Sequence, residues 1–491
     1  MPAYKYAKHL PRRRWPKRVG IAVVLTLVIL VAGASMPPVT TLAAPPGIAA
    51  PAVSYDAPLT IRSGGVYVGS WTALTVDTTE AVTIRNAAFK GADGNLLTLG
   101  SGANVTVEDS YFEGRRAADN DYRAIWAPEG VGSLTVRNND FVGIAAIKVQ
   151  NASGSIRILN NRARDIIGDP ANGSRPGYVN GGGYAQFVQL AWLSSPNAEI
   201  AWNEVINVPE RSRVEDNISL YDAGGASAAA PMRIHDNFVW GAFPLNSTVV
   251  QDYSGGGIML GDGDSGRARH VVVEDNQVVG TTNYGISIVC GTAQIVRNNT
   301  VLSSGRQADG QALAAANTGL GLWHPDYCSN SGNTMTDNRV GWVRWENSRW
   351  PCAGCRADWW APDAGANTFA NTSIEGEITY ASEQAEYQAW VAKSAGQRVG
   401  RAAGPLSTTT TGPTSSSTTT TTTGPPASPT TGPTPPPVTT APPTTAPPVT
   451  TTLPPPTTAP PPPSTTVPPP PSAPTIPGWV CVRYPWICAR R

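Results

Sequence analysis

Acidic side chains and glycines alternate at GDGD (261–264), the part of the chain whose residue types most directly suggest chemistry. Asp262 and Asp264 lie one residue apart, and the glycines beside them let the backbone approach a ligand closely. Two such carboxylates would hold Ca²⁺, which takes six or more oxygen ligands, or would act as acid and base in glycoside hydrolysis. The alternative is a Gly-Asp turn with solvated acids and no ligand.

A short motif of the form apolar-x-polar-Asn-x-apolar recurs nine times between residues 51 and 400. The intervals between successive copies range from 22 to 42 residues, and Asn276 and Asn299, for example, are 23 apart. A minimum near 22 residues with larger intervals elsewhere indicates one structural repeat with loops of variable length.

The flanks of each motif alternate apolar and polar residues and are rich in β-branched side chains, which predicts strands. Three short strands and their turns fill one repeat, so each repeat would be one rung of a solenoid that buries its inner face by stacking on the next. A turn asparagine takes the left-handed conformation readily and bonds neighbouring backbone. We therefore expect a ladder of stacked amides formed by Asn139, Asn161, Asn203, Asn237, Asn276, Asn299 and Asn338.

These motifs resemble the rungs of secreted bacterial right-handed parallel β-helix proteins, the pectate-lyase-like superfamily, over roughly residues 55–380. The resemblance implies an all-β, right-handed parallel β-helix with three strands per rung and the asparagine turn between the second and third strands. It also implies that polysaccharide binds along the face built from the first strands. Those strands would be RAIWA (123–127), AIKVQ (146–150), FVQLA (187–191), ISLYD (218–222), GIMLG (257–261), GISIV (285–289) and GLGLW (319–323).

Strand alternation predicts which of these side chains point outward. The outward column would be Trp126, Lys148, Gln189, Tyr221, Met259, Ser287 and Trp323. Aromatic rings stack on the apolar faces of sugars, so we predict that the substrate is bound by Trp126, Gln189, Tyr221, Trp323 and His324. An ordinary solvated sheet face with scattered aromatics is the alternative.

Two catalytic hypotheses follow from the ionisable residues near this face. A glycoside hydrolase would use Asp222 and Asp262, on neighbouring rungs, as its carboxylate pair. A polysaccharide lyase would use Lys148 or Arg267 as the base that removes a proton next to a uronate carboxylate. The sequence carries neither the paired-aspartate motif of polygalacturonases nor a complete pectate-lyase signature. A non-catalytic adhesin or envelope scaffold is therefore the alternative function.

The N-terminal segment 1–34 combines seven basic residues, an apolar run and the small-residue sequence Ala32-Gly33-Ala34. This layout predicts either a cleaved export signal or an uncleaved membrane anchor. In both cases the remainder would be extracellular or in the cell envelope, and any membrane attachment would be through this segment alone. Beyond it the chain has 29 basic against 35 acidic residues, which argues against nucleic acid as a partner.

The domain proper is predicted at 51–400, and its C-terminal end would be covered by an amphipathic helix at 382–396 with Ser382 as N-cap. The segment 405–475 is nearly all Thr, Pro, Ser, Gly and Ala, which is typical of a disordered spacer. A short terminal segment follows at 476–491.

Six cysteines in an exported chain predict disulfides. Cys481 and Cys488 would close a small loop in the terminal segment. The pairing among Cys290, Cys328, Cys352 and Cys355 stays open at this stage. The leading prediction is thus an exported, monomeric β-helix protein that engages polysaccharide, with Ca²⁺ as the one cofactor considered.

Overall fold

A computed structural model describes residues 45–91, 94–114, 122–167, 185–244, 246–251, 254–263, 266–348, 352–404 and 406. Within these ranges the chain forms short parallel strands that stack rung on rung, one turn of 3₁₀-helix and one α-helix. The predictions for residues 1–34, for Asp264 and for Cys481 and Cys488 lie outside the described residues.

The strands are numbered in chain order. The first half comprises β1 Leu59–Ile61, β2 Gly65–Tyr67, β3 Ser70–Trp71, β4 Leu74–Val76, β5 Ala81–Arg85, β6 Ala88–Lys90, β7 Leu97–Leu99, β8 Asn104–Glu108, β9 Tyr111–Glu113, β10 Arg123–Ala127, β11 Ser133–Arg137, β12 Asp140–Val142, β13 Ala145–Gln150, β14 Ile156–Leu159, β15 Arg162–Arg164, β16 Val188–Ser195 and β17 Glu199–Ala201. The second half comprises β18 Glu204–Ile206, β19 Asp216–Gly225, β20 Met232–His235, β21 Phe238–Ala242, β22 Gly256–Leu260, β23 Val271–Glu274, β24 Gln277–Thr281, β25 Tyr284–Ile288, β26 Gly291–Thr292, β27 Ile295–Arg297, β28 Thr300–Ser303, β29 Thr318–Leu322, β30 Asn330–Ser331, β31 Thr334–Arg344, β32 Cys355–Arg356, β33 Trp359–Trp360 and β34 Thr368–Ser373.

Two large sheets organise these strands into rungs. The first sheet has 11 strands in the order β1-β4-β7-β10-β13-β16-β19-β22-β25-β29-β33, and every pairing in it is parallel. All seven predicted first strands lie in this sheet. The second sheet joins the second and third strands of each rung, as in the pairs β8–β11 and β9–β12. The predicted parallel β-helix is therefore confirmed.

The core runs through the middle of the rungs, because alternate residues of the strands point inward. Most of its side chains are aliphatic. One column of the third strands is aromatic instead: Phe89 stacks on Phe112 with ring centroids 4.6 Å apart, and Phe112 stacks on Phe141 at 5.0 Å. All three rings are fully buried. Each such side chain stabilises the fold by roughly 1.5–3 kcal/mol through burial alone.

The asparagines form a continuous ladder of hydrogen bonds at the turn between the second and third strands. In each step the side-chain Nδ2 of one asparagine donates to Oδ1 of the next, from Asn139 to Asn161 at 3.0 Å and onward through Asn338. The same Oδ1 also accepts the backbone N–H of the preceding asparagine, as between Asn237 and Asn276 at 3.0 Å. The ladder extends one rung beyond the predicted set, since Asn338 donates to Asn371 at 2.7 Å.

The residue before each ladder position, and not the asparagine itself, takes the left-handed conformation. This holds at all nine motifs, from Asn86 with φ of 48° to Asp337 with φ of 60°. The expectation that the ladder asparagine is left-handed was therefore wrong. Turning the chain one residue earlier leaves the asparagine side chain pointing along the ladder, where it meets its neighbours.

The C-terminal helix exists, but its start and its position differ from the prediction. Helix α1 spans Tyr380–Lys393 and its N-cap is Thr379, whose hydroxyl accepts from the backbone of Ser382 in a reciprocal capping box. It does not lie over the last rung. It packs along the side of the solenoid on the third strands, where the Trp390 indole stacks on Phe238 at 5.7 Å. A large apolar side chain at that position gives the helix more burial on the flank than on the narrow end.

The chain after α1 returns along the same flank to the first rungs, and we call residues 394–406 the return segment. The backbone N–H of Gly400 donates to Asn160 O at 2.7 Å, and Arg398 pairs with Asp109. Leu406 then packs in a small apolar cluster with Tyr111 and the N-terminal Val53. The two ends of the described chain therefore lie at the same end of the solenoid.

The ladder predicts a large loss of stability when a central member is removed. We expect Asn237→Ala to lower the free energy of unfolding by about 2–4 kcal/mol, because the buried backbone N–H of Asn203 loses its acceptor and Ile200 O loses the side-chain donor. Asn371→Ala, at the half-buried last position of the ladder, should cost clearly less. Denaturant unfolding followed by circular dichroism measures both variants, and equal losses would contradict the cooperative ladder.

Glu383, on the flank covered by α1, makes the stability of the fold depend on pH. Its carboxylate is fully buried beneath α1 and accepts from the Ser304 backbone N–H at 2.6 Å. Burial raises its pKa from the ordinary 4.5 to about 7, and hydrogen bonds from Ser304 and Trp240 oppose this only in part. The folded state therefore favours the protonated acid, and its stabilisation is lost as the pH rises from about 4.5 to about 7.

We accordingly expect wild-type protein to lose up to about 3 kcal/mol of unfolding free energy between pH 4.5 and pH 7.5 relative to Glu383→Gln, which cannot ionise. Unfolding curves of both proteins at several pH values measure this difference. Glu377→Gln, at an exposed position, is the matched control for loss of one carboxylate. A constant difference between wild type and Glu383→Gln across this range would contradict the assignment.

Candidate functional site

The outer face of the first sheet carries the predicted column, with one correction to its register. Strand pairing places Trp126 beside Lys148 and Lys148 beside Gln189. Gln189, however, pairs with Ser219, and Ser287 pairs with Gly321. The full outward column is Thr60, Thr75, Thr98, Trp126, Lys148, Gln189, Ser219, Met259, Ser287, Gly321 and Trp360.

Tyr221 and Trp323 lie two residues further along the chain than Ser219 and Gly321, which occupy the predicted column. They belong to a second outward column beside it. The Tyr221 backbone pairs with Ala191, and the N–H of Trp323 donates to Ile288 O at 3.2 Å. Both side chains remain near the outer face because a shift of two residues preserves the strand alternation. The Trp323 indole leans back over the main column, where its Nε1–H donates to Ser287 Oγ at 3.3 Å.

Exposed tryptophans border this face. Trp360 is 49% exposed and its ring lies 5.6 Å from that of Trp323. Trp192 is 40% exposed and meets Tyr221 edge-on at 5.6 Å. Trp192 also has a left-handed backbone with φ of 54°, which is an uncommon and costly conformation for a bulky residue. The prediction missed Trp192, which lies within β16, and Trp360, which ends β33, although both strands belong to the first sheet.

Polar groups occupy the N-terminal part of the same face. The Lys148 ammonium lies 5.2 Å from the ring centroid of Trp126, within cation–π range. Gln189 is nearly buried, and its Oε1 has no hydrogen-bond partner among the described residues. Next to them a cleft of about 360 Å³ opens over the threonines of the column and is bounded by Glu129.

Asp222 lies within β19 and Asp262 follows β22, so the two acids are on neighbouring rungs, as predicted. The Asp222 side chain is only 3% exposed and pairs with the Arg267 guanidinium at 3.0 Å. Its second oxygen accepts the backbone N–H of Arg267 at 3.2 Å. Asp262 accepts from the hydroxyl of Tyr327 at 2.7 Å. The chain after β22 packs closely on Asp222, because a side chain at Gly263 would come within 2.5 Å of Asp222 Cβ.

The calcium site stays a prediction, because its ligand Asp264 lies outside the described residues. Within the described residues no group of three or more His, Cys, Asp or Glu side chains converges. The proposals below do not depend on calcium.

His324 lies at the C-terminal part of the face and forms a pair with Asp363. Its Nδ1 lies 2.7 Å from Asp363 Oδ2, and the imidazole side chain is 41% exposed. The loop that carries His324 and Tyr327 is fixed by the disulfide Cys290–Cys328. A second disulfide joins Cys352 to Cys355, so the pairing among these four cysteines is now assigned. Asp363 carried no sequence signal, because it is 39 residues from its partner.

No helix among the described residues is long and apolar enough to cross a membrane. Comparisons with protein-family models, with curated proteins and with solved structures find no match for this chain. Function must therefore be inferred from the geometry of the outer face and its loops.

Proposed function

We propose that the protein binds polysaccharide along the outer face of the first sheet. The observation that carries the proposal is the exposure of two indoles there: Trp192 is 40% and Trp360 is 49% exposed, and both belong to strands of this sheet. Exposed tryptophans are costly on a surface without a partner, and their flat rings match the apolar faces of sugar rings. With 11 strands spaced about 4.8 Å apart, the face is long enough for several sugar units of a polymer.

A polar side chain adjoins the aromatic one at the N-terminal part of the face. Lys148 is half-buried beside Trp126, whereas Gln189 and Ser219, which follow it in the column, are nearly buried. The chain beyond residue 34 carries more acidic than basic residues. A neutral or weakly charged glycan therefore fits this face better than a polyanionic one.

Cleavage of that polysaccharide is the catalytic form of the proposal. Asp222 and Asp262 would serve as the carboxylate pair of a glycoside hydrolase, and Lys148 as the base of a lyase. The second candidate is a non-catalytic adhesin or envelope scaffold, and one observation favours it: Asp222 is almost fully buried and held at both oxygens by Arg267. A carboxylate in that arrangement is not free to exchange protons with a substrate.

Export of a monomeric protein to the extracellular space or cell envelope completes the proposal. Two disulfides among the described residues support an oxidising compartment, where such bonds persist. The basic and apolar segment 1–34 is the expected export signal or anchor. The glycans of the cell envelope are the corresponding partners.

Substitution of an exposed indole tests the binding face. We expect Trp360→Ala to weaken binding of the polysaccharide identified on a glycan array by about three- to tenfold, because stacking on one ring contributes about 1 kcal/mol. Val391→Ala is the matched control, since it removes an exposed apolar side chain from α1 at 44% exposure. Equal affinity in wild type and Trp360→Ala would contradict this face as the binding site.

Product analysis separates the catalytic form from the adhesin. If the protein is an enzyme, incubation with its bound polysaccharide should release new reducing ends for a hydrolase or unsaturated products absorbing in the ultraviolet for a lyase. We then expect Asp262→Asn to lower the hydrolase rate by at least 100-fold, which is typical for loss of an acid–base group, while binding is retained. Binding without either product would establish the non-catalytic alternative.

A further inference from the structure

The cleft of about 360 Å³ at the N-terminal part of the outer face is lined by described residues throughout. Its floor is a column of three threonine side chains on β1, β4 and β7, because strand pairing aligns Thr60 with Thr75 and Thr75 with Thr98. The residues that follow these strands and β10 complete the lining: Arg62, Asp77, Gly100, Pro128 and Glu129. We call it the threonine cleft.

The sequence explains why these threonines face outward. Each stands at the centre of a three-residue strand that begins with Leu and ends with an aliphatic residue, as LTI (59–61), LTV (74–76) and LTL (97–99). The aliphatic residues Ile61, Val76 and Leu99 are buried in the core, so strand alternation leaves the threonines on the outer face. Their hydroxyl groups therefore repeat along the solenoid at the strand spacing of about 4.8 Å.

The hydroxyl groups of this column are available to a ligand. Within the part of the chain that the structure describes, the side chains of Thr60, Thr75 and Thr98 form no hydrogen bond. Thr60 is exposed and the other two are half-buried, so each hydroxyl can donate and accept toward the cleft. Because threonine has few rotamers and these strands are fixed in the sheet, a ligand would lose little entropy in ordering the row.

Charged groups of both signs stand at the rim of the threonine cleft. Arg62 Nε lies 3.6 Å from Asp77 Oδ2, and their side chains are 71% and 63% exposed. So long and exposed a pair is weak, which leaves both groups able to hydrogen-bond to a ligand. Glu129 is exposed and forms no ion pair with another described residue. One guanidinium and two carboxylates favour a neutral, hydroxyl-rich ligand over a polyanion.

The straight line of the threonine column selects the shape of the ligand. The column continues into Trp126, which pairs with Thr98 in the sheet, and then into Lys148. A glycan that follows this line must advance by about one strand spacing for each sugar unit and keep hydroxyl groups within reach of the sheet at every step. An extended β-1,4-linked glycan does so, whereas an α-1,4-linked glycan coils away from a straight line.

We propose that the threonine cleft binds consecutive units of a neutral, extended β-1,4-linked glycan through their hydroxyl edges. The threonine hydroxyls bond to the sugar hydroxyls along the floor, and Arg62 and Glu129 bond to them at the rim. The cleft volume is near the lower bound of the roughly 300–1,000 Å³ of small-ligand sites, so it takes a short stretch of the polymer, which continues over Trp126. This inference rests on the function proposed for the outer face and names the class of glycan that the face takes.

Calorimetry with the full chain tests the proposal, using cellohexaose and maltohexaose as probes. Both are glucose hexasaccharides, and they differ only in their linkage, which is β-1,4 in the first and α-1,4 in the second. We expect cellohexaose to bind at least tenfold more tightly than maltohexaose. Thr75→Val keeps the shape of the side chain and removes the central hydroxyl, so it should weaken cellohexaose binding about three- to tenfold, as expected for loss of one neutral hydrogen bond.

Thr135→Val is the matched control for this substitution. Thr135 is also a half-buried threonine in the middle of a strand, but its strand β11 belongs to the second sheet. Its loss of a hydroxyl should leave cellohexaose binding unchanged. Circular dichroism and thermal unfolding of both variants establish that the fold is intact.

Several results would overturn the proposal. Unchanged cellohexaose affinity in Thr75→Val, or an equal loss in Thr135→Val, would remove the role of the threonine hydroxyls. Equal affinity for the two hexasaccharides would remove the requirement for an extended glycan. Weaker cellohexaose binding in Trp360→Ala, with Thr75→Val unaffected, would keep the outer face as the binding site and exclude the threonine cleft. Binding of another polysaccharide on a glycan array, without cellohexaose binding at millimolar concentration, would likewise leave the proposed function standing and reject this inference.

Discussion

The hydrogen bond between stacked asparagine side chains is the interaction on which the rest of this structure depends. A buried primary amide has two donors and one acceptor oxygen, and leaving them unpaired costs several kcal/mol. An identical amide on the next rung pairs with them, and backbone groups of the stacked turns supply the remaining partners. The ladder therefore fixes how each rung sits on the next, and through the strands it also fixes which side chains share a column on the outer face. The position of Trp126 beside Lys148 is a remote result of this constraint.

The sequence was sufficient to predict the rungs because two signals agree: the spaced asparagines and the alternating β-branched flanks. It was not sufficient to align the rungs to the residue. Alternation has a period of two, so it predicts the face of Tyr221 but not its position along the strand, and the error was two residues. The helix shows the same limit. Thr379 and Ser382 both belong to one capping box, so the residue type alone does not decide which of them is the N-cap.

Contacts between distant loops were beyond sequence reasoning, and they decide the chemistry of the candidate sites. Arg267 is 45 residues from Asp222, and His324 is 39 from Asp363. Neither pair has a local pattern, because insertions of different lengths bring these residues together. Asn347 likewise joins two loops through Thr248 O and Ala312 O, and no sequence pattern connects these residues. A repeat thus makes the scaffold predictable and leaves function to the segments that interrupt it.

The return segment has a mechanical consequence. Because Leu406 packs beside Val53 at the start of the solenoid, tension applied through the two ends of this unit would not stretch the stack along its axis. It would instead peel the return segment from the flank one contact at a time, beginning with Leu406 and followed by Arg401 and Arg398. Helix α1 would detach after them, and the rungs themselves would carry little of the load. The return segment and α1 would therefore detach before the stacked rungs unfold.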